Sequence, residues 1–265
     1  MYVAIALFYC LLISKVVCTI HSIFCASEKI PYNMVYIPGD SYNILFKETR
    51  DISKHEVPSF LIDKYPITNK EFRDFVFNDL KWEPLNIISF FSNREYLNNW
   101  LLNDNFYLIL KDPVVNVSWY ACVAYCSSFK KRLPVLDEWE YVSNATQDFP
   151  FGINDFEYIQ KVLNWYINII AKSEYSVRSM FYNYWSVFGL HGIIWEWVYD
   201  FNSIIIVGSD VEGGEQEQSL FCGAGGENSV NPVDYVGFMR YAFRNSLDSV
   251  FSLSSLGFRC ARPIE

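Results

Sequence analysis

The segment Gly189–Phe201, GLHGIIWEWVYDF, sets one glutamate, Glu196, between Trp195 and Trp197 in an otherwise apolar run, with His191 shortly before it. A carboxylate in such company must bind a cation, accept several hydrogen bonds or become neutral, because an unpaired buried charge is very costly. Read as an acid/base, Glu196 would be served by His191, whose neutral imidazole can pass protons. Read structurally, it accepts hydrogen bonds from loop amides and from an arginine, with Arg240, Arg244 and Arg259 all available in the sequence. His55 and His191 are the histidines beyond residue 27, and they form no His-His-carboxylate spacing for mononuclear iron. Each of them reads more simply as a hydrogen-bonded structural residue.

The elements that must position these groups are short. Met34–Gly39 alternates like a strand ending in a turn, and Phe60–Asp63 repeats that pattern. A helix is predicted from Thr68 or Asn69, with Glu71 in its first turn and Phe72, Phe75 and Val76 on one face. Ser118 is the expected cap of a second helix carrying Cys122, Tyr125 and Cys126 at helical spacing. After Arg132-Leu133-Pro134 breaks that pattern, a third helix begins at Glu138-Trp139-Glu140-Tyr141. The rest, including the stretch 142–188, reads as short strands and long loops.

No repeat, low-complexity tract or Pro/Gly/Ser linker marks a boundary, so the 265 residues, 51% hydrophobic, are expected in one domain. Its 8 Trp, 19 Tyr and 22 Phe, with charged residues at 19%, suit irregular backbone packed around large rings. The net charge is −9 and the basic residues form only the short run Lys130-Lys131-Arg132, which speaks against a nucleic-acid partner. Residues 1–27 are apolar, uncharged from Val3 to Ile13, and end in Ala26-Ser27. They read as a signal peptide, with an uncleaved anchor as the alternative, since a spanning helix needs about 20 apolar residues. Neither Cys18 nor Cys25 follows the small residue that lipidation requires. Cleavage would leave residues 28–265 in a periplasmic or secreted location with no stable membrane span. Four of the seven cysteines, Cys122, Cys126, Cys222 and Cys260, would remain, and an even number in an oxidising compartment makes a disulfide plausible.

Five pieces in order, YPITNKEF, PVVNVSWYACVAYC, KRLPVLDEWEY, GLHGIIWEWV and LGFRCAR, resemble the sulfatase-modifying-factor, or formylglycine-generating-enzyme, domain over roughly Met34 to Pro263. The resemblance implies a single α+β domain related to C-type lectins and low in regular secondary structure. It also implies a Cys126–Cys260 disulfide, from the AYC and GFRC cysteines linked in exported members. The copper-dependent members hold their metal with two cysteines five positions apart. Here the corresponding region runs SLFCGAGGENSVNPVDYVGFMRYAFRNSL, Cys222 is its one thiol, and Val236 stands about where the second should be. Copper is therefore not expected, because Cu(I) selection rests on soft sulfur ligands. The WEW segment supplies oxygen ligands to a structural calcium in the family, commonly as GN.WEW. Ile193 replaces that asparagine, which leaves Glu196 to find carbonyl and water ligands for any calcium.

Function divides two ways on this reading. The family includes oxidases of sulfatase cysteines, ergothioneine-pathway relatives and a periplasmic pyoverdine-maturation protein, which implies oxidation or maturation of a peptide or small-molecule substrate. Glu196 is then the candidate acid/base and Cys222 an accessory thiol. Arg240 and Arg244 would clamp the substrate in a groove between the WEW loop and the 222–244 loop, beside Trp195 and His191. The other reading is a noncatalytic ligand-binding module, because lectin-like scaffolds display variable, Trp/Tyr-rich loops.

Overall fold

The computed structural model describes residues 30–42, 55–103, 105–152, 156–168, 181–202 and 232–264. In chain order its strands are β1 (Met34–Ile37), β2 (Asp40–Tyr42), β3 (His55–Val57), β4 (Phe60–Asp63), β5 (Trp195–Glu196), β6 (Leu256–Gly257) and β7 (Ala261–Pro263). The helices are α1 (Asn69–Asn78), α2 (Asn98–Leu101), α3 (Trp119–Ser128), α4 (Leu136–Ser143), α5 (Phe156–Asn168) and α6 (Pro232–Asn245), with 3-10 turns at Leu80–Trp82 and Phe106–Ile109. The residues from Asn33 onward form one unit.

Local chemistry starts α1 and α3 where the sequence predicts, whereas α4 begins at Leu136, two residues before the expected Glu138. The Thr68 hydroxyl accepts from the Glu71 amide at 3.3 Å while the Glu71 carboxylate accepts from the Thr68 amide at 2.9 Å, a reciprocal capping box for α1. Ser118 caps α3 in the simpler way, accepting from the Ala121 amide. The buried stripe of α1, Phe72, Phe75 and Val76, packs on α3, and Phe72 stacks on Tyr125 at 5.7 Å and meets Phe258 edge-on at 6.0 Å.

The main sheet has the order β1-β4-β7, antiparallel on both sides of β4. All four residues of β4 are buried, including Asp63 at its end. Burial pushes the Asp63 carboxyl up, and Lys131 Nζ at 2.6 Å and the Cys260 amide at 3.0 Å oppose that push. The β5–β6 pair is parallel and sets Glu196 opposite Gly257. A side chain at Gly257 would run into the Val114 carbonyl, so the close approach of the two segments requires glycine there. Cys126 of α3 is disulfide-bonded to Cys260, with Cα atoms 5.9 Å apart and 134 positions between them in sequence. Cys122, one turn earlier on α3, is a buried free thiol whose pKa burial pushes well up.

Besides the single turn of α2, two longer helices depart from the sequence expectation of strands and loops. Helix α5 is rich in Tyr, Ile and Val, which favour strands, yet Tyr158, Ile159 and Val162 are buried together as one helical face. Helix α6 opens on Pro232, suited to a first helical position, but carries Gly237 and two valines that lower its intrinsic propensity. The two pack against each other, so tertiary burial overrides local preference. No helix among the described residues is long and apolar enough to cross a membrane.

Candidate functional site

Helix α4, LDEWEYVS, gathers the ionisable groups of the interior. The Asp137 carboxylate accepts from the Tyr42 hydroxyl at 2.8 Å, and Glu138 takes both terminal nitrogens of Arg132 at 2.6 Å each. The second carboxylate oxygen of Glu138 also accepts from the Val135 amide, capping the helix it belongs to. Trp139 Nε1 donates to Glu196 at 2.8 Å, and the Arg244 guanidinium lies 4.5 Å from the Trp139 ring centre. Glu140 accepts from Arg240 Nη2 at 2.5 Å, from Arg240 Nε at about 3 Å, and from Arg244 Nη1 at 2.7 Å. Burial alone would raise the Glu140 pKa; the two guanidiniums win and hold it at about 2.

Glu196 is 3% exposed and both its oxygens are engaged. Arg259 Nη2 donates to Oε1 at 2.7 Å, while Arg259 Nε and Trp139 Nε1 both donate to Oε2 at 2.8 Å. Arg259 spends its remaining donors on the carbonyls of Asp63, Lys64 and Phe188. A calcium ion at Glu196 would meet a guanidinium on the very oxygens it needs, and no group of three or more His, Cys, Asp or Glu among the described residues is arranged to hold a metal.

The residues singled out in the sequence are therefore placed as follows. Arg240 and Arg244 lie 1% and 3% exposed against Glu140, not at a surface. Trp195 stacks on Phe243 at 4.2 Å, so one face of its ring is covered. His191 Nε2 lies 2.9 Å from the Ser143 carbonyl, a contact that requires the proton on that nitrogen. Its ring sits edge-on to Trp139 and Tyr158, and burial, reinforced by Arg240, lowers its pKa to about 3. The neutral ring expected from the sequence is thus present, but its hydrogen bond runs to a carbonyl of α4 and not to Glu196. Cys222 and the 222–231 part of the expected groove lie outside the described residues.

An open cleft of about 550 Å³ lies elsewhere, lined by Trp119, Tyr199, Asp200, Asn202, Asp248 and Ser249 among others. Trp119 opens α3 and is fixed by an Nε1 bond to the Val198 carbonyl at 3.2 Å; Tyr199, 5.7 Å from it between ring centres, is 52% exposed. Asp200 Oδ1 accepts from the Leu136 amide at 2.7 Å, at the start of α4 where the helix dipole favours an anion. Burial pushes the Asp200 pKa up against those backbone bonds, with Asp137 adding to the rise and Arg244 opposing it. Asp248 accepts from the Val250 amide and the Ser249 hydroxyl. None of these cleft residues stood out in the sequence, because single Asp and aromatic residues in loops carry no spacing signal; the polar tail of the WEW segment, YDFN, is the one hint.

Small sheets, capped helices and long irregular connections around a buried ion-pair framework make an α+β domain. The chain belongs to the sulfatase-modifying factor enzyme 1-like domain family, whose family model matches residues 24–264. It is similar to an uncharacterized protein of Borreliella burgdorferi, 28% identical over 152 residues that make up 54% of this chain and 29% of that protein. It thus spans under a third of that relative's length. It is also similar to the inactive C-alpha-formylglycine-generating enzyme 2 of Bos taurus, 25% identical over 279 residues, 86% of this chain and 87% of that one. The structure of PvdO from Pseudomonas aeruginosa is 14% identical, with a TM-score of 0.45 over 87% of this chain and 94% of that one.

Proposed function

We propose that this chain is an exported formylglycine-generating-enzyme-like protein that binds a peptide or small-molecule ligand in the Trp119/Tyr199/Asp248 cleft. In this reading Glu196, Arg240 and Arg244 are framework groups, not an acid/base and a substrate clamp. One observation carries it: each of these three is held by a buried partner of opposite charge, whereas the cleft offers carboxylates, an amide and aromatic rings to solvent. A two-cysteine copper reaction does not fit the residues present, since Cys222 is the only thiol of its region and Val236 stands near the other position. The bovine relative, matched over 87% of its length, carries the word inactive in its name, which is in keeping with a binding role.

The test is saturation-transfer NMR of the mature protein against a mixed library of short peptides and metabolites, with Tyr199→Ala as control. Hits that weaken in the variant support the reading. Oxygen uptake or product formation with a peptide thiol that disappears in Cys222→Ser would instead make the protein an oxidising enzyme and overturn the binding-only assignment. A library without any Tyr199-sensitive hit also overturns it.

A further inference from the structure

We infer that the cleft recognises an organic cation, an ammonium or guanidinium group, through Asp200 and Asp248 on one side and the rings of Trp119 and Tyr199 on the other. This deepens the binding role proposed above and rests on it. Four observations meet at this site. Two carboxylates line one cavity, and neither forms an ion pair with a lysine or arginine among the described residues. The guanidinium close enough to influence Asp200, that of Arg244, is already committed to Glu140, and the other nearby charge, Asp137, is negative. The Trp119 and Tyr199 rings, tilted by 48° with centres 5.7 Å apart, both line the cavity, and Tyr199 is 52% exposed, which gives a cation aromatic surface to meet. Finally, Asn202 and Ser249 line the same cavity and add neutral oxygen acceptors suited to N–H donors.

The chemistry discriminates among ligands. A carboxylate or phosphate would meet two carboxyl groups with no basic side chain among the described residues of the lining, and a neutral apolar group would leave the carboxyl groups without compensation on desolvation. A cation satisfies both. The cavity, at about 550 Å³, has room for a lysine or arginine side chain of a peptide, or for a free aliphatic amine.

The experiment uses the mature protein and titrates n-butylammonium, methylguanidinium, spermidine and an acetylated lysine peptide, with n-butanol as the neutral isostere of butylammonium and butyrate as an anionic analogue. Tyr and Trp fluorescence and NMR shifts are the readouts. Cations should bind and n-butanol and butyrate should not, and binding should weaken as salt rises from about 0.05 to about 0.5 M. Asp248→Asn, which keeps an acceptor for the Val250 amide, should weaken cation binding about tenfold, and Tyr199→Ala about threefold. Binding of spermidine without the peptide assigns a free amine as the source, and the reverse assigns a peptide side chain. Equal affinity for butylammonium and n-butanol, both lost in Tyr199→Ala, would overturn the cation assignment and leave the cleft as a binding site. Failure of every probe to perturb the protein, together with a library free of Tyr199-sensitive hits, would remove both.

Discussion

Replacing Glu140 by Gln tests the claim that α4 is the electrostatic anchor of the domain. The amide keeps the shape and one acceptor but removes the carboxylate that, among the described residues, is bonded to both Arg240 and Arg244, which are buried and cannot regain water. The drop of the Glu140 pKa from 4.5 to about 2 corresponds to about 3 kcal/mol of preference for the charged form. Leaving two guanidiniums short of a counter-charge brings the expected loss to about 3–5 kcal/mol. For a domain of this size that is a fall of roughly 10 °C in Tm. Urea unfolding followed by tryptophan fluorescence, at several pH values, is the assay. The folded-state pKa is depressed, so the stabilisation is present above the unfolded value near 4.5 and is lost as pH falls toward 2. The gap between wild type and Glu140→Gln should therefore be widest at neutral pH and shrink below about pH 4.5. A variant within about 1 kcal/mol of wild type at pH 7, or a gap constant down to pH 2.5, would refute the reasoning.

Glu196→Gln should lower stability by about 1–3 kcal/mol through the loss of its charge-assisted bonds from Arg259, and added calcium should leave the melting temperature of wild type unchanged. A calcium-dependent rise in melting temperature would restore the metal reading. His191→Gln should make the protein less sensitive to acid. The depressed pKa of His191 means that wild-type stability declines as pH falls from 6.5 toward 3, and equal slopes for both proteins over that window would sink the assignment. Removing the disulfide by Cys126→Ser should cost about 2–4 kcal/mol, and peptide mapping without reductant should recover Cys126 and Cys260 as one linked pair. N-terminal sequencing of protein recovered outside the cytoplasm should begin near residue 28; recovery only as an intact chain starting at Met1 counts against a cleaved leader.

The parts of the fold readable in the sequence are those whose causes are local. Thr68 with Glu71, and Ser118, mark helix starts because a cap acts on amides two or three residues away. The order of the five short motifs conveys the overall architecture for a different reason, since each has its own place in the framework. Helices α5 and α6 could not be read, because their residues favour strands or no structure in isolation and become helical by packing on one another. The ion pairs lay deeper still. Glu140 and its arginines are 100 and 104 positions apart, and neither partner carries a mark of the other. For Glu196 three arginines were eligible, and only the β5–β6 register, which sets Glu196 opposite Gly257, brings Arg259 within reach.

The last strand pair and the residues between its members carry an implication for how the chain is made. Leu256–Pro263 supply the partner of β5, the counter-charge of Glu196, the second half-cystine and the third strand of the main sheet. All four are needed by segments synthesised as much as two hundred residues earlier, as the pairing of Phe60 with Pro263 illustrates. Such long-range closure makes folding wait for residues 256–263. A product stopped at Ser255 should stay as sensitive to protease as an unfolded chain. Until Leu256–Pro263 has been made, the interior stays unsealed, and any machinery that handles the growing chain before then would meet it in that open state.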